Sequence, residues 1–129
     1  MRIIVVFIIF AAIITASGCN NRLRSLEVTA TAYTSNIAET DSTPALAAWG
    51  DTLNPGMKAI AVSRDLIKMG LSHGAQVSID GLEGKYTVLD KMNKRWTKKI
   101  DIYMGLDTKA AKEWGKRQVI IHWENKPKS

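Results

Sequence analysis

The sequence predicts a mainly β domain closed, or nearly closed, into a six-stranded barrel with one or two short helices, and three observations carry that prediction. Six short stretches rich in β-branched and aromatic residues recur at fairly regular intervals, glycine-bearing turns separate them, and only two brief segments show helical pattern. Closure follows because an open sheet of short strands leaves unpaired edges exposed, whereas a barrel has none. At 129 residues there is room for one such domain and not for a second catalytic one.

The first element is a leader. Met1 and Arg2 give a short basic start, and residues 3–16 are apolar throughout except Thr15. That run is short for a membrane-crossing helix and suits the hydrophobic region of a signal peptide. Ala16-Ser17-Gly18-Cys19 then resembles a lipobox, with Ala16 where leucine is usual, so residues 1–18 are expected to be removed and Cys19 to be lipidated. The alternative is an uncleaved anchor with an incidental cysteine. Asn20 after the cysteine implies the outer membrane where sorting depends on that position, on its periplasmic face. Residues 19–26 read as a lipidated tether, 27–124 as the barrel domain and 125–129 as a polar tail.

Residues 27–33 (EVTATAY) alternate as a half-buried strand should. Residues 36–44 are polar and turn-forming, and 49–56 (WGDTLNPG) mark a tight loop. Further strands are expected at 59–63 (AIAVS), 76–79 (QVSI), 85–89 (KYTVL), 99–103 (KIDIY) and 118–123 (QVIIHW). Short helices are expected at 65–69 and 108–114; the second is opened by Asp107 or Thr108 and stopped at Gly115.

Composition narrows the partners. Cleavage removes Arg2 from the 18 basic residues, leaving 17 against 12 acidic ones and a net charge of plus five. Such a surface favours anions: nucleic acid, acidic lipid or the carboxylates of peptidoglycan stem peptides, and export argues against nucleic acid. The lone cysteine makes no internal disulfide, so packing alone must hold the fold, and it is a poor nucleophile candidate. A monomer is expected.

The order of the pieces resembles the Asp-Asp-Asp, or 3D, domain, a double-psi β-barrel family shared in looser form by membrane-bound lytic transglycosylase A and, more distantly, rare lipoprotein A. The resemblance is carried by Ala32-Tyr33-Thr34, the segments GMKAIAV and GAQVSI, Val88-Leu89-Asp90, Ile100-Asp101-Ile102-Tyr103, and Ala110 and Ala111 through Trp114-Gly115. Two of the family's three aspartates fall on Asp90 and Asp101. The third does not: Ala61-Val62-Ser63-Arg64 stands where the family reads Ala-Val-Asp-Pro, with Asp65 two places late. After Asp90, Lys91-Met92-Asn93 replaces the family's Thr-Gly-Gly.

The resemblance implies lytic transglycosylase chemistry on the MurNAc-GlcNAc β-1,4 bond of peptidoglycan. Most glycosidases need two carboxylates. Here the substrate's own C6 hydroxyl is the nucleophile, so one acid that first donates and then accepts a proton suffices. The resemblance assigns that acid to Asp101, with Asp90 as a neighbour whose charge would help hold a proton. The plain alternative for either aspartate is a loop cap or backbone acceptor.

Four further residues are candidates for substrate binding. Tyr33 and Thr34 end a strand and would line the groove, or else pack the barrel. Between the aspartates, KMNKRWTKK offers Trp96 as a stacking platform and Lys91 with its fellow lysines against peptide carboxylates, the alternative being a solvated cationic loop. The segment Glu39-Thr40-Asp41-Ser42-Thr43-Pro44 would rim the cleft or form surface loop. His73 and His122 lack ligand-spaced partners, so neither a metal nor another cofactor is expected, and no phosphate loop or Ser/His/Asp ordering is evident. Two other functions stay open: a non-catalytic peptidoglycan-binding or envelope-structural lipoprotein, and a small accessory protein or inhibitor of another envelope enzyme.

Overall fold

A computed structural model of the chain describes residues 22–35 and 47–125. Its elements run β1 (Arg22–Tyr33), β2 (Ala59–Val62), α1 (Arg64–Lys68), β3 (Gln76–Ile79), β4 (Lys85–Lys91), β5 (Lys99–Tyr103), α2 (Thr108–Trp114) and β6 (Arg117–Asn125). The six strands close into one barrel in the order β1-β5-β2-β4-β3-β6. Two pairings are parallel, β1 with β5 and β2 with β4, and the other four are antiparallel. This is a six-stranded double-psi β-barrel with two short helices, as the strand pattern and the resemblance predict.

Period-two alternation sorts the side chains. Val28 and Ala30, Ile60 and Val62, Val77 and Ile79, Val88, Ile100 and Ile102, and Val119, Ile121 and Trp123 fill the interior, so every strand contributes to one core. Leu66 of α1 and Trp114 of α2 join it, and the Trp114 indole donates to the Ala30 carbonyl at 3.2 Å. Asp107 caps α2 by accepting from the Ala110 N–H at 2.9 Å.

Several boundaries differ from expectation. β1 begins at Arg22 rather than residue 27, so residues 22–26, expected to be tether, are strand. They pair with Asn125 back to Ile121 of β6, which itself runs on to Asn125, the first residue of the expected tail. Polar composition hid this because that stretch of β1 is half-exposed and only Leu26 packs on the core. β4 runs through Asp90 to Lys91 rather than ending at Leu89, and Ser63 leaves β2 to precede α1. The leader, Cys19 and the segment from Glu39 to Pro44 lie outside the described residues.

Candidate functional site

The residues not pointing inward on β1, β5, β2 and β4 build the site. On β1 these are Thr29, Thr31 and Tyr33, and on β5 Lys99, Asp101 and Tyr103, each outward because its neighbours Val28, Ala30, Ile100 and Ile102 are buried in the core. Thr31 stands opposite Asp101, Asp101 opposite Ala61, and Ala61 opposite Asp90. Four strands therefore present one lateral row, Thr31-Asp101-Ala61-Asp90. Asp101 and Asp90 flank a methyl group, their backbones about 10 Å apart across β2 at ordinary strand spacing.

Asp90 reaches that row through an irregularity. Ile60 pairs with Val88 but Ala61 pairs with Asp90, so β4 carries one extra residue, Leu89. Without it Leu89 would face Ala61 and Asp90 would face Val62, whose side chain is in the core. Asp90 Oδ1 accepts from the Ala48 N–H at 2.7 Å and from the Lys91 N–H at 2.9 Å. The first bond fixes segment 47–57 over this end of the face, where Ala47 and Leu53 pack with Ala59 and Tyr103, and Tyr33, Met57 and Leu89 close around them.

Asp101 is half-buried and accepts from the Thr31 hydroxyl at 3.0 Å. Burial pushes its carboxyl above its ordinary pKa; the Thr31 hydrogen bond and the Lys99 charge pull against this, and the Asp90 charge adds to the rise. Desolvation therefore leads and carboxylate repulsion is the smallest contribution, the reverse of the emphasis expected from two neighbouring aspartates. Tyr33 feels the same surroundings: burial, then Asp90 and Asp101, raise its phenol strongly. Its hydroxyl is buried without a hydrogen-bond partner among the described residues, and its ring meets that of Tyr103 at 5.5 Å.

The other expected site residues divide. Thr34 is 1% exposed, so it is not on the groove surface as expected; it follows the point where segment 47–57 closes over β1. Lys91 lies beside Asp90 but holds its ammonium 5.6 Å from the Trp49 ring centroid. Trp96 is 37% exposed, but it is not the bare platform expected: Lys99 Nζ lies 3.7 Å and the Arg95 guanidinium 4.8 Å from its ring centroid. With Thr29, Thr97 and Lys116 these three line a cavity of about 200 Å³, one strand step from Thr31 and Asp101. A larger cavity of about 830 Å³ sits among α1, β3 and the end of β6, and neither aspartate lines it.

Ser63 and Asp65, where the sequence differs from the 3D pattern it resembles, have structural roles. Ser63 is fully buried and its hydroxyl accepts from the Lys99 N–H at 3.0 Å, while Asp65 Oδ2 accepts from the Lys98 N–H at 2.9 Å. Both tie the start of β5 to α1, and neither belongs to the carboxylate row. Each histidine meets one acidic side chain: His73 pairs with Asp51 at 2.5 Å and His122 with Asp80 at 2.8 Å. Ser25 completes a Ser25-His122-Asp80 chain at 2.7 Å, invisible in residue order because cross-strand pairing creates it. It lies on exposed sheet outside both cavities. Among the described residues no group of three or more His, Cys, Asp or Glu side chains is placed to hold a metal.

No protein-family model matches the chain, and no curated protein matches it. Among solved structures it is similar to an expansin from Clavibacter michiganensis, with a TM-score of 0.51 and 15% identity over 82% of this chain. The chain spans 52% of that expansin, about half its length. At this identity the likeness establishes the fold alone, and it agrees with the closed double-psi barrel.

Proposed function

We propose that this protein is a peptidoglycan lytic transglycosylase of the 3D type, cleaving the MurNAc-GlcNAc β-1,4 bond with Asp101 as its one acid and base. The observation that carries the reading is Asp101 itself: a half-buried outward carboxyl, raised by burial, hydrogen-bonded to Thr31 and one strand step from a cationic cavity. A strand that spends an outward position on a desolvated carboxyl has a use for it.

In the proposed reaction the Asp101 carboxyl protonates the departing GlcNAc O4 as the bond to MurNAc C1 breaks. The MurNAc C6 hydroxyl then attacks C1, and its proton passes to the Asp101 carboxylate. The 1,6-anhydro ring closes, no water is consumed, and Asp101 ends as it began. Asp90, held by Ala48 and Lys91, keeps segment 47–57 in place and helps Asp101 retain its proton. The expected lipid on Cys19 would tether the domain to the periplasmic face of the outer membrane as a monomer, with glycan strands and no nucleic acid as partner.

Digestion of purified sacculi tests this. Soluble muropeptides with 1,6-anhydro ends should form with the wild type and fall about 100-fold or more with Asp101→Asn, the scale of losing a general acid. A second reading, a non-catalytic envelope lipoprotein that binds glycan, is favoured by one observation: Ser63, standing for the first family aspartate, is buried in a backbone contact. Sedimentation with sacculi and no product would support it.

A further inference from the structure

The small cavity beside Asp101 has an unusual charge balance. Its lining holds three cations, Arg95, Lys99 and Lys116, and two hydroxyls, Thr29 and Thr97, with no carboxylate. The three cations come from separate places: Arg95 from the loop after β4, Lys99 from the start of β5, and Lys116 from the turn between α2 and β6. Arg117 next door is turned away, stacked 4.1 Å from the Trp114 ring and donating to the Trp114 carbonyl. The ion pairs found among the described residues are both histidine-aspartate pairs elsewhere. Like charges gathered in one place repel, and the Trp96 π face offsets part of that cost by taking Lys99 and Arg95 against it. Trp96 therefore positions cations.

From this geometry we infer that the Arg95-Lys99-Lys116 cavity is a carboxylate subsite, which holds the acidic peptide substituent of the glycan while Asp101 addresses the adjacent glycosidic bond. The inference rests on the glycan-cleaving reading and adds its substrate class: peptide-bearing strands over naked ones. Thr29 and Lys99 lie two residues from Thr31 and Asp101 on the same outward face, about 7 Å along the strands. An anion there is thus a neighbour of the bond being cut, not the group protonated. No acidic side chain lines the cavity: Asp101 on β5 and Glu27, a step further along β1, both lie outside its lining. A cationic pocket that small fits a carboxylate or a phosphate. The glycan itself supplies the former.

Equilibrium binding of the full chain to three length-matched glycan oligomers tests it: one with stem peptides, one stripped of them, and one stripped and phosphorylated. The wild type should prefer the first over the second, and Lys116→Gln should erase about fivefold of that preference, the upper range for an exposed charge pair. Lys94→Gln, a loop lysine outside the cavity, should leave it intact. Trp96→Leu should weaken binding to peptide-bearing strands only. Equal weakening on stripped strands would make Trp96 a sugar platform and overturn the subsite. Equal wild-type affinity for the first two ligands also overturns it while leaving the cleavage reading standing. Tighter, Lys116-dependent binding of the phosphorylated strand overturns the carboxylate assignment. Binding to none of them takes down both readings.

Discussion

Asp101 combines two properties that a neutral-pH acid needs, a position on the surface and a carboxyl partly removed from water. Because burial raises its pKa on folding, the folded state holds the proton more firmly than the unfolded chain. Its contribution to stability is therefore complete below the unfolded carboxylate pKa and is lost as pH rises through the folded one. Asp101→Asn keeps an acceptor for Thr31 without the charge, so its melting temperature should exceed the wild type's at pH 8 and the gap should close at pH 4. Unequal melting that grows toward low pH would contradict this. Tyr33 makes a second case: its hydroxyl is buried with no partner among the described residues, which costs stability, and Tyr33→Phe should gain about 1 kcal/mol in denaturant unfolding. Asp90 and Asp101 were legible in the sequence by resemblance, and Asp101 also by its place between two isoleucines. The three-cation cavity was not, since Lys116 comes from a distant turn that only the closed barrel brings near Arg95 and Lys99.

At the scale of elements, the extra residue in β4 and the long β1 matter most. Ala61 is the floor between the carboxylates and is 5% exposed, so Ala61→Leu should overpack the row, cost about 1–3 kcal/mol, and displace segment 47–57. Gly105 supports the same segment: its φ is +62°, and a Cβ there would lie 3.2 Å from Pro55 Cα, so Gly105→Ala should destabilise as well. Strand positions were readable because alternation is a direct record of which face is buried. The bulge was not, because an inserted residue leaves the composition of VLDK unchanged and only pairing with Ile60 and Ala61 exposes it. β1 shows the same limit. Removing residues 22–26 should cost about 3–5 kcal/mol, through the lost ladder to residues 121–125 and the packing of Leu26. A true tether would be lost without effect on the melting of the barrel.

For the whole molecule, closure of six strands into one barrel explains how so small a chain supports a surface site without a disulfide. All six strands feed one core, so the outward row is carried on a rigid frame, and segment 47–57 and the 92–98 loop flank it at either end. The fold class was legible because regular strands, glycine turns and the absence of long helices admit few other closures. The proposed single-acid chemistry rests on resemblance, since no spacing rule distinguishes a working aspartate from a capping one. The most direct test is cleavage of sacculi in heavy-oxygen water, with mass analysis of the newly formed sugar ends. Intramolecular attack by the C6 hydroxyl predicts anhydro ends that carry no solvent oxygen, with their yield collapsing in Asp101→Asn. One heavy oxygen per cut, or undiminished product from Asp101→Asn, would contradict the account.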